Sequence, residues 1–196
     1  MKKILKFILI LLPWFIGGII FRSDTIFYKS LNKPVFAPPS ILFPIIWTIL
    51  YFLIALNIYL IFKNNNYKDT LSYNKTLLIN YFSNQIFSFL FFTLKSPFLA
   101  LIDTFIVFIS SLFLYYESKE LNKTSAKLLI PYIIWNLFAN ILIISIFSFS
   151  IFIAVFSIPF SIPFSSAHSI LSNITTIATS CLCHLHHKHL IFLHHH

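Results

Sequence analysis

The sequence predicts an all-α integral membrane protein, a bundle of five transmembrane helices. Three observations carry that expectation. Of 196 residues, 58% are hydrophobic and only 10% charged, more apolar surface than a soluble domain of this size can hide. The apolar residues gather into five runs, each near the roughly 20 residues that cross a hydrocarbon core. The runs are continuous and do not alternate, which argues against a lipid-facing β-barrel.

The runs cover residues 4–21, 41–62, 77–94, 98–116 and 128–156. The first follows Lys2, Lys3 and Lys6. It lacks a convincing small-residue cleavage site, so it reads as a retained helix. The first loop holds Lys33-Pro34 and Pro38-Pro39. Proline fixes its own φ and disfavours helix in the residue before it. That loop reads as stiff and extended, ending where Ser40 or the prolines start the next helix. The second loop, "KNNNYKDTLSYNK", reads as polar and mobile. The third connection, around Lys95-Ser96-Pro97, is so short that its flanking helices should be antiparallel neighbours. The fourth, "ESKELNKTSAK", reads as a charged loop. Pro131 suits the first turn of the last helix. Residues 1–156 form the expected membrane domain. Residues 157–196, with Pro159 and Pro163 near their start, form an extra tail expected to be poorly ordered.

A net charge of +9 raises the question of nucleic acid. Sorting the cations by side answers it. Lys2, Lys3, Lys6, Lys63, Lys68, Lys75, Lys119, Lys123 and Lys127 fall on one side of a five-span bundle. Arg22, Lys29, Lys33, Lys95 and Lys188 fall on the other. That excess predicts a cytoplasmic N-terminus and no nucleic-acid partner.

Polar residues inside spans face the bundle interior. Asn80, Asn84 and Ser88 share one face, with Gln85 beside it. They read either as helix–helix hydrogen bonding or as the lining of a ligand cavity. Tyr132, Asn136 and Asn140 form a second stripe. Trp135 and Ala139 place a flat ring one turn from a small residue, a shelf that plain packing also explains. Trp47 and Tyr51 repeat the one-turn spacing, with interfacial anchoring as the competing explanation. Asp103, near the start of the fourth span, reads as pairing with a cation or capping backbone.

No P-loop, dinucleotide turn or His-Glu-x-x-His is present. Two glycines leave no room for a phosphate-cradling loop. The tail, "CLCHLHHKHLIFLHHH", is metal-binding in type, but its spacing matches no closed zinc site. No metal site and no required cofactor are expected. Cys181 and Cys183 are too close for a structural disulfide framework.

Three blocks carry a resemblance. "FYKSLNKPVFAPPSILFPIIWTILYFLIALNIYLIF" resembles the first loop and second helix of the TspO/translocator protein family, the peripheral-type benzodiazepine receptors. "NYFSNQIFSFLFFTLKSPFLALID" resembles its third helix and the turn into the fourth. "AKLLIPYIIWNLFA" is similar to the start of its fifth helix. Order and spacing agree over roughly residues 13–146. The resemblance implies a five-helix bundle, a homodimer, and a pocket opening towards the first loop. It implies ligands such as porphyrin or haem-like tetrapyrroles, sterols and benzodiazepine-type compounds. The family's roles span transport, stress sensing and light-dependent porphyrin breakdown.

By position, Tyr28 matches the tyrosine of the family's Trp-Tyr pair, Phe27 replacing the tryptophan. Phe36 stands where tryptophan is usual, and Phe87 replaces another. Trp47, Asn84, Trp135 and Ala139 match pocket positions. Ile143 occupies an asparagine position, and the sterol-associated segment is missing, so cholesterol recognition is not expected. The stiff loop, with Pro38 and Pro39, becomes the pocket's lid. Lys33 and Arg22 are placed to meet ligand carboxylates.

The expected ligand-binding set is Tyr28, Lys33, Phe36, Pro38, Pro39, Trp47, Tyr51, Asn80, Asn84, Phe87, Trp135 and Ala139. The function expected first is tetrapyrrole binding in sensing, transport or scavenging. The alternatives are an enzyme assisting photo-oxidative porphyrin degradation, using Tyr28 and Trp135, and a regulatory scaffold with an incidental pocket. The resemblance and the Phe/Ile/Asn/Lys bias place the chain in a bacterial cell membrane, with the bilayer as a partner.

Overall fold

The computed structural model describes residues 2–21 and 23–156. Among them there are helices and no strands. The chain opens with α1 (Lys2–Leu11), a 3-10 turn (Leu12–Phe15) and α2 (Ile16–Ile20). α3 (Thr25–Ser30) lies in the first loop. α4 (Leu42–Asn64) and α5 (Leu71–Ser88) follow, and a π-helical turn (Phe89–Thr93) extends α5. Then come α6 (Pro97–Leu121), α7 (Lys123–Lys127) and α8 (Ile130–Phe156).

Four helical stretches are long and apolar enough to cross a bilayer: Lys2–Ile20, Leu42–Asn64, Pro97–Leu121 and Lys123–Ile153. The expected span at 77–94 is helical and begins earlier, at Leu71, but it is not apolar enough to join them. Its polar residues turn inward, with Tyr73, Asn80 and Asn84 buried. Leu78, Ile79, Phe82 and Ile86 face outward, like Ile4, Ile19, Ile106 and Ile134 elsewhere. An exposed apolar belt of this kind suits lipid and not water.

Cross-helix hydrogen bonds fix the arrangement. Ser72 Oγ donates to Glu117 Oε1, and Asn80 Nδ2 donates to Ser110 Oγ and Val107 O. The pairing runs in opposite directions along α5 and α6, so the two are antiparallel, as the short connection requires. α8 joins them through Tyr132, whose hydroxyl donates to Asn80 Oδ1 and accepts from Asn84 Nδ2. Asn140 Nδ2 donates to Thr104 O at 3.0 Å.

Three expectations about connections need correction. The first loop is not extended throughout, because Asp24 accepts from Phe27 N and starts α3. The second loop shrinks to residues 65–70, with Thr70 fully buried. The tyrosine and leucines after it have helical partners, so α5 starts inside the polar stretch. The fourth loop reduces to Asn122, which caps α7 through Thr124 N and Ser125 N. Asp103 also departs from expectation. It is 4% exposed, and its Oδ2 has no hydrogen-bond partner among the described residues. The nearest lysine in sequence, Lys95, pairs instead with Asp24 at 3.5 Å. The tail and Arg22 lie outside the described residues.

Candidate functional site

Helical spacing builds a cavity of about 610 Å³, within the usual range for small-molecule sites. Phe43, Pro44, Trp47, Thr48 and Tyr51 recur every three or four residues and present one face of α4. Trp135, Asn136, Ala139, Leu142, Ile143 and Ile146 do the same from α8. Asn84, Gln85, Phe87 and Ser88 come from α5, Thr104 and Val107 from α6. Gly17 and Gly18 contribute from α2, and Ser23, Thr25, Tyr28 and Ser40 from the first loop.

The walls are aromatic. Trp47 lies 5.4 Å from Tyr51, tilted by 38°. Tyr51 packs on Trp14 at 5.7 Å. Phe43 sets its edge against Tyr28 at 5.3 Å and against Trp135 at 6.1 Å. One ring of α4 therefore links the first-loop tyrosine to the α8 tryptophan. Such offset and edge-on pairs add about 0.5–1.5 kcal/mol each beyond buried area.

The cavity's polar side chains are mostly committed to the protein. Tyr28 OH donates to Pro38 O, which ties α3 to the diproline. Burial raises the Tyr28 phenol above its ordinary value. Tyr51 OH donates to Asn84 Oδ1. Gln85 accepts from Gly17 N and donates to Trp14 O. Thr48 and Thr104 donate to carbonyls on their own helices. Among the described residues no lysine or arginine lines the cavity, and Arg22, between the lining residues Phe21 and Ser23, lies outside them.

Of the expected set, Tyr28, Trp47, Tyr51, Asn84, Phe87, Trp135 and Ala139 come together on this cavity. The other five do not line it. Lys33 Nζ donates to Tyr28 O, Lys29 O and Leu31 O and lies 4.7 Å from the Tyr28 ring centre. It closes the C-terminal end of α3 and does not line the cavity. Pro38 acts through its carbonyl on Tyr28, and Pro39 O accepts from Leu42 N at the start of α4. Phe36 packs edge-on against Phe138 and stays half exposed. Asn80 is fully buried between α5, α6 and α8. Its hydrogen bonds are structural, the plainer of the two readings of its stripe.

Sequence reasoning passed over Phe43 and Pro44, although they lie one turn before Trp47 on the same face. It also passed over Gly17 and Gly18 and left Asn136 out of the set. A glycine signals a close approach, but nothing in the sequence says to which helix.

A sequence profile of the "TspO/MBR family" matches residues 7–148. A "Tryptophan-rich protein TspO" of Bacillus cereus is 38% identical over 150 residues, 76% of this chain and 97% of that protein. One of the same description from Archaeoglobus fulgidus is 32% identical, covering 74% of this chain and 95% of its own length. A "Tryptophan-rich sensory protein" of Cereibacter sphaeroides is 27% identical over 60% of this chain and 72% of that protein. The span the profile matches takes in the helices that build the cavity, and this chain belongs to the TspO/MBR family.

Proposed function

We propose that this protein binds a flat, largely apolar tetrapyrrole, porphyrin or haem-like, within the bilayer, in sensing, transport or scavenging. The observation that carries the reading is the cavity itself. Trp47, Tyr51, Trp135 and Tyr28, from three separated segments, line one cavity. Aromatic walls with few polar groups match a planar ring system. In this reading all five long helical stretches cross the membrane. The stretch from Leu71 to Thr93 qualifies by length, about 34 Å at 1.5 Å per residue, with its polar face turned inward.

The test is titration of the purified chain with protoporphyrin, followed by quenching of porphyrin and tryptophan emission. Saturable quenching is expected, weakened about threefold to tenfold by Trp135→Ala, which removes one stacking face. Non-saturable quenching, or an unchanged curve for Trp135→Ala together with Trp47→Ala, would sink the reading.

Tyr28 and Trp135, both on the cavity, motivate a second reading, assisted photo-oxidative breakdown of the bound ring. Illumination in air should then convert protoporphyrin faster than in empty lipid, and Trp135→Phe should abolish the gain. Equal rates in the two settings rule it out.

A further inference from the structure

The first membrane segment parts from α4 partway along it. Phe7 of α1 packs on Phe52 at 5.2 Å, and Phe15 of the 3-10 turn sets its edge against Tyr51 at 5.4 Å. Beyond Phe15 the seam ends, and α2 packs against α5. The bend falls at Pro13, which has no amide N–H to give a regular helix. Side chains of α5 hold the bent segment. Tyr81 OH donates to Pro13 O, Gln85 Nε2 donates to Trp14 O, and Gln85 Oε1 accepts from Gly17 N. Phe21 packs on Phe89 at 5.1 Å, in the π-helical turn that extends α5. These contacts draw α2 towards α5 and away from α4.

The cavity meets the membrane where they part. Leu12, Gly18 and Ile19 form one lip, Pro44 and Thr48 the other, and all five line the cavity. All five are also exposed, Leu12 by 58% and Ile19 by 71%. A Cβ added at Gly18 would meet nothing within 4 Å. The Thr48 hydroxyl donates to Pro44 O, so this lip offers hydrocarbon no unpaired donor. Gly18 and Ile19 come just before the first loop, and Thr48 lies about 9 Å beyond the start of α4 at 1.5 Å per residue. The opening therefore faces the leaflet beside the first loop.

We propose that this opening is a lateral portal, through which a flat, apolar ligand dissolved in that leaflet enters the cavity without passing through water. The alternative route, past the first loop, is tied down. Tyr28 OH donates to Pro38 O across the loop, and the Asp24–Lys95 pair fastens α3 to the α5–α6 turn. Among the described residues no hydrogen bond or ring pair joins α2 to α4, so lateral entry breaks none. It also keeps the ligand's apolar surface in hydrocarbon throughout. This inference rests on the cavity being a ligand site, and not on the ligand being a tetrapyrrole.

The experiment uses the full chain in lipid nanodiscs, with Cys181→Ser and Cys183→Ser and a single thiol on the α8 wall of the cavity, Ala139→Cys. The probe is N-(1-pyrenyl)maleimide, flat and lipid-soluble, and a sulfonated maleimide confined to water is the comparison. The pyrene reagent should label Ala139→Cys, and the sulfonated one should not. Gly18→Phe, which fills the opening, should slow pyrene labelling about tenfold by raising the barrier to entry. Thr48→Phe, from the opposite lip, carries the same expectation should Gly18→Phe fail to fold. Gly18→Ala, too small to fill the opening, and Thr25→Phe, at the first-loop end, should leave the rate unchanged. Labelling that ignores both lip variants overturns the portal. So does labelling slowed as much by Thr25→Phe, labelling by the sulfonated reagent alone, or none by either reagent. Protoporphyrin titration of the parent chain is run beside the set. If it shows no saturable binding while labelling behaves as stated, the tetrapyrrole reading falls and the portal stands. If protoporphyrin binds while labelling ignores the lip variants, the portal falls and the tetrapyrrole reading stands.

Discussion

Gly17 has no room for a side chain. A Cβ there would lie 2.7 Å from Gln85 Oε1 and 2.8 Å from the Gln85 carbonyl. The amide could swing away, but the carbonyl belongs to α5 and cannot without moving the helix. Gly17→Ala should therefore lower stability by about 1–3 kcal/mol, the usual cost of overpacking. Gly18 is the internal control, since nothing lies within 4 Å of its Cβ position. Gly18→Ala should hold or raise the melting temperature, as alanine costs a helix less than glycine. Thermal unfolding of both variants in one detergent checks the contrast, and equal shifts would remove the argument. The two glycines are adjacent in sequence and opposite in consequence, and spacing alone cannot separate them. Trp47, Tyr51, Trp135 and Ala139 were readable because one-turn spacing fixes a shared face. Asn80 and Asn84 share a face too, yet only Asn84 reaches the cavity. Which of them meets α6 depends on how far along α5 that helix crosses, a tertiary fact. Phe27 and Phe87 stand where the resemblance expects tryptophan, and both pack on Phe91 at 5.6 Å. Phenylalanine at both positions packs without the N–H that an indole would bring.

Helices here are located by polar residues as much as by apolar ones. Asn57 of α4 donates to Ser118 Oγ, Ser125 O and Ser125 Oγ, and accepts from Tyr73 OH at 2.7 Å. One amide thereby joins α4, α5, α6 and α7. Asn57→Leu strands several fully buried groups, each of which costs about 1–3 kcal/mol when left unmade. The expected outcome is a large drop in melting temperature with porphyrin affinity retained in the folded fraction, since none of these residues lines the cavity. A variant as stable as the parent contradicts it. This cluster also explains why the "loop" after Lys63 could not be read from its polarity. Tyr73 looks solvated in sequence and meets Asn57, as Ser72 meets Glu117, only once the helices are assembled. α3 makes the same point at the membrane face. Asp24 caps it, and the Phe27 amide, helped by Lys95, holds its carboxyl below the ordinary 3.8, against some desolvation. A lowered carboxyl stabilises the folded form above its unfolded value and loses that contribution as pH falls through the folded one. The protection of the Phe27 amide, the factor by which it exchanges more slowly than an unstructured amide at the same pH, should fall as pH drops below about 3.8. Asp24→Asn, which still caps, should remove that pH dependence. Protection in the parent that stays constant across this window would exclude the cap's role.

At the scale of the whole molecule, the packing sorts charge by end. The Asp24–Lys95 pair places the first loop and the α5–α6 turn together, with Lys29 and Lys33 beside them. Phe7 packs on Phe52 and Tyr59 of α4, so α1 begins near the end where α4 finishes. Lys2, Lys3, Lys6, Lys63, Lys68, Lys119, Lys123 and Lys127 gather there. Lysine excess near short loops marks the cytoplasmic side, so the first loop and the cavity's Ser23, Thr25, Tyr28 and Ser40 should face outward. Labelling tests this directly once Cys181 and Cys183 are replaced by serine. Val35 and Tyr67 are both exposed and sit at opposite ends. An impermeant maleimide should modify Val35→Cys in intact cells and Tyr67→Cys only after permeabilisation. The reverse pattern inverts the bundle. A ligand reaching the cavity past Tyr28 would then come from the cytoplasm, and a protein that senses or scavenges outside the cell would have its mouth on the wrong side.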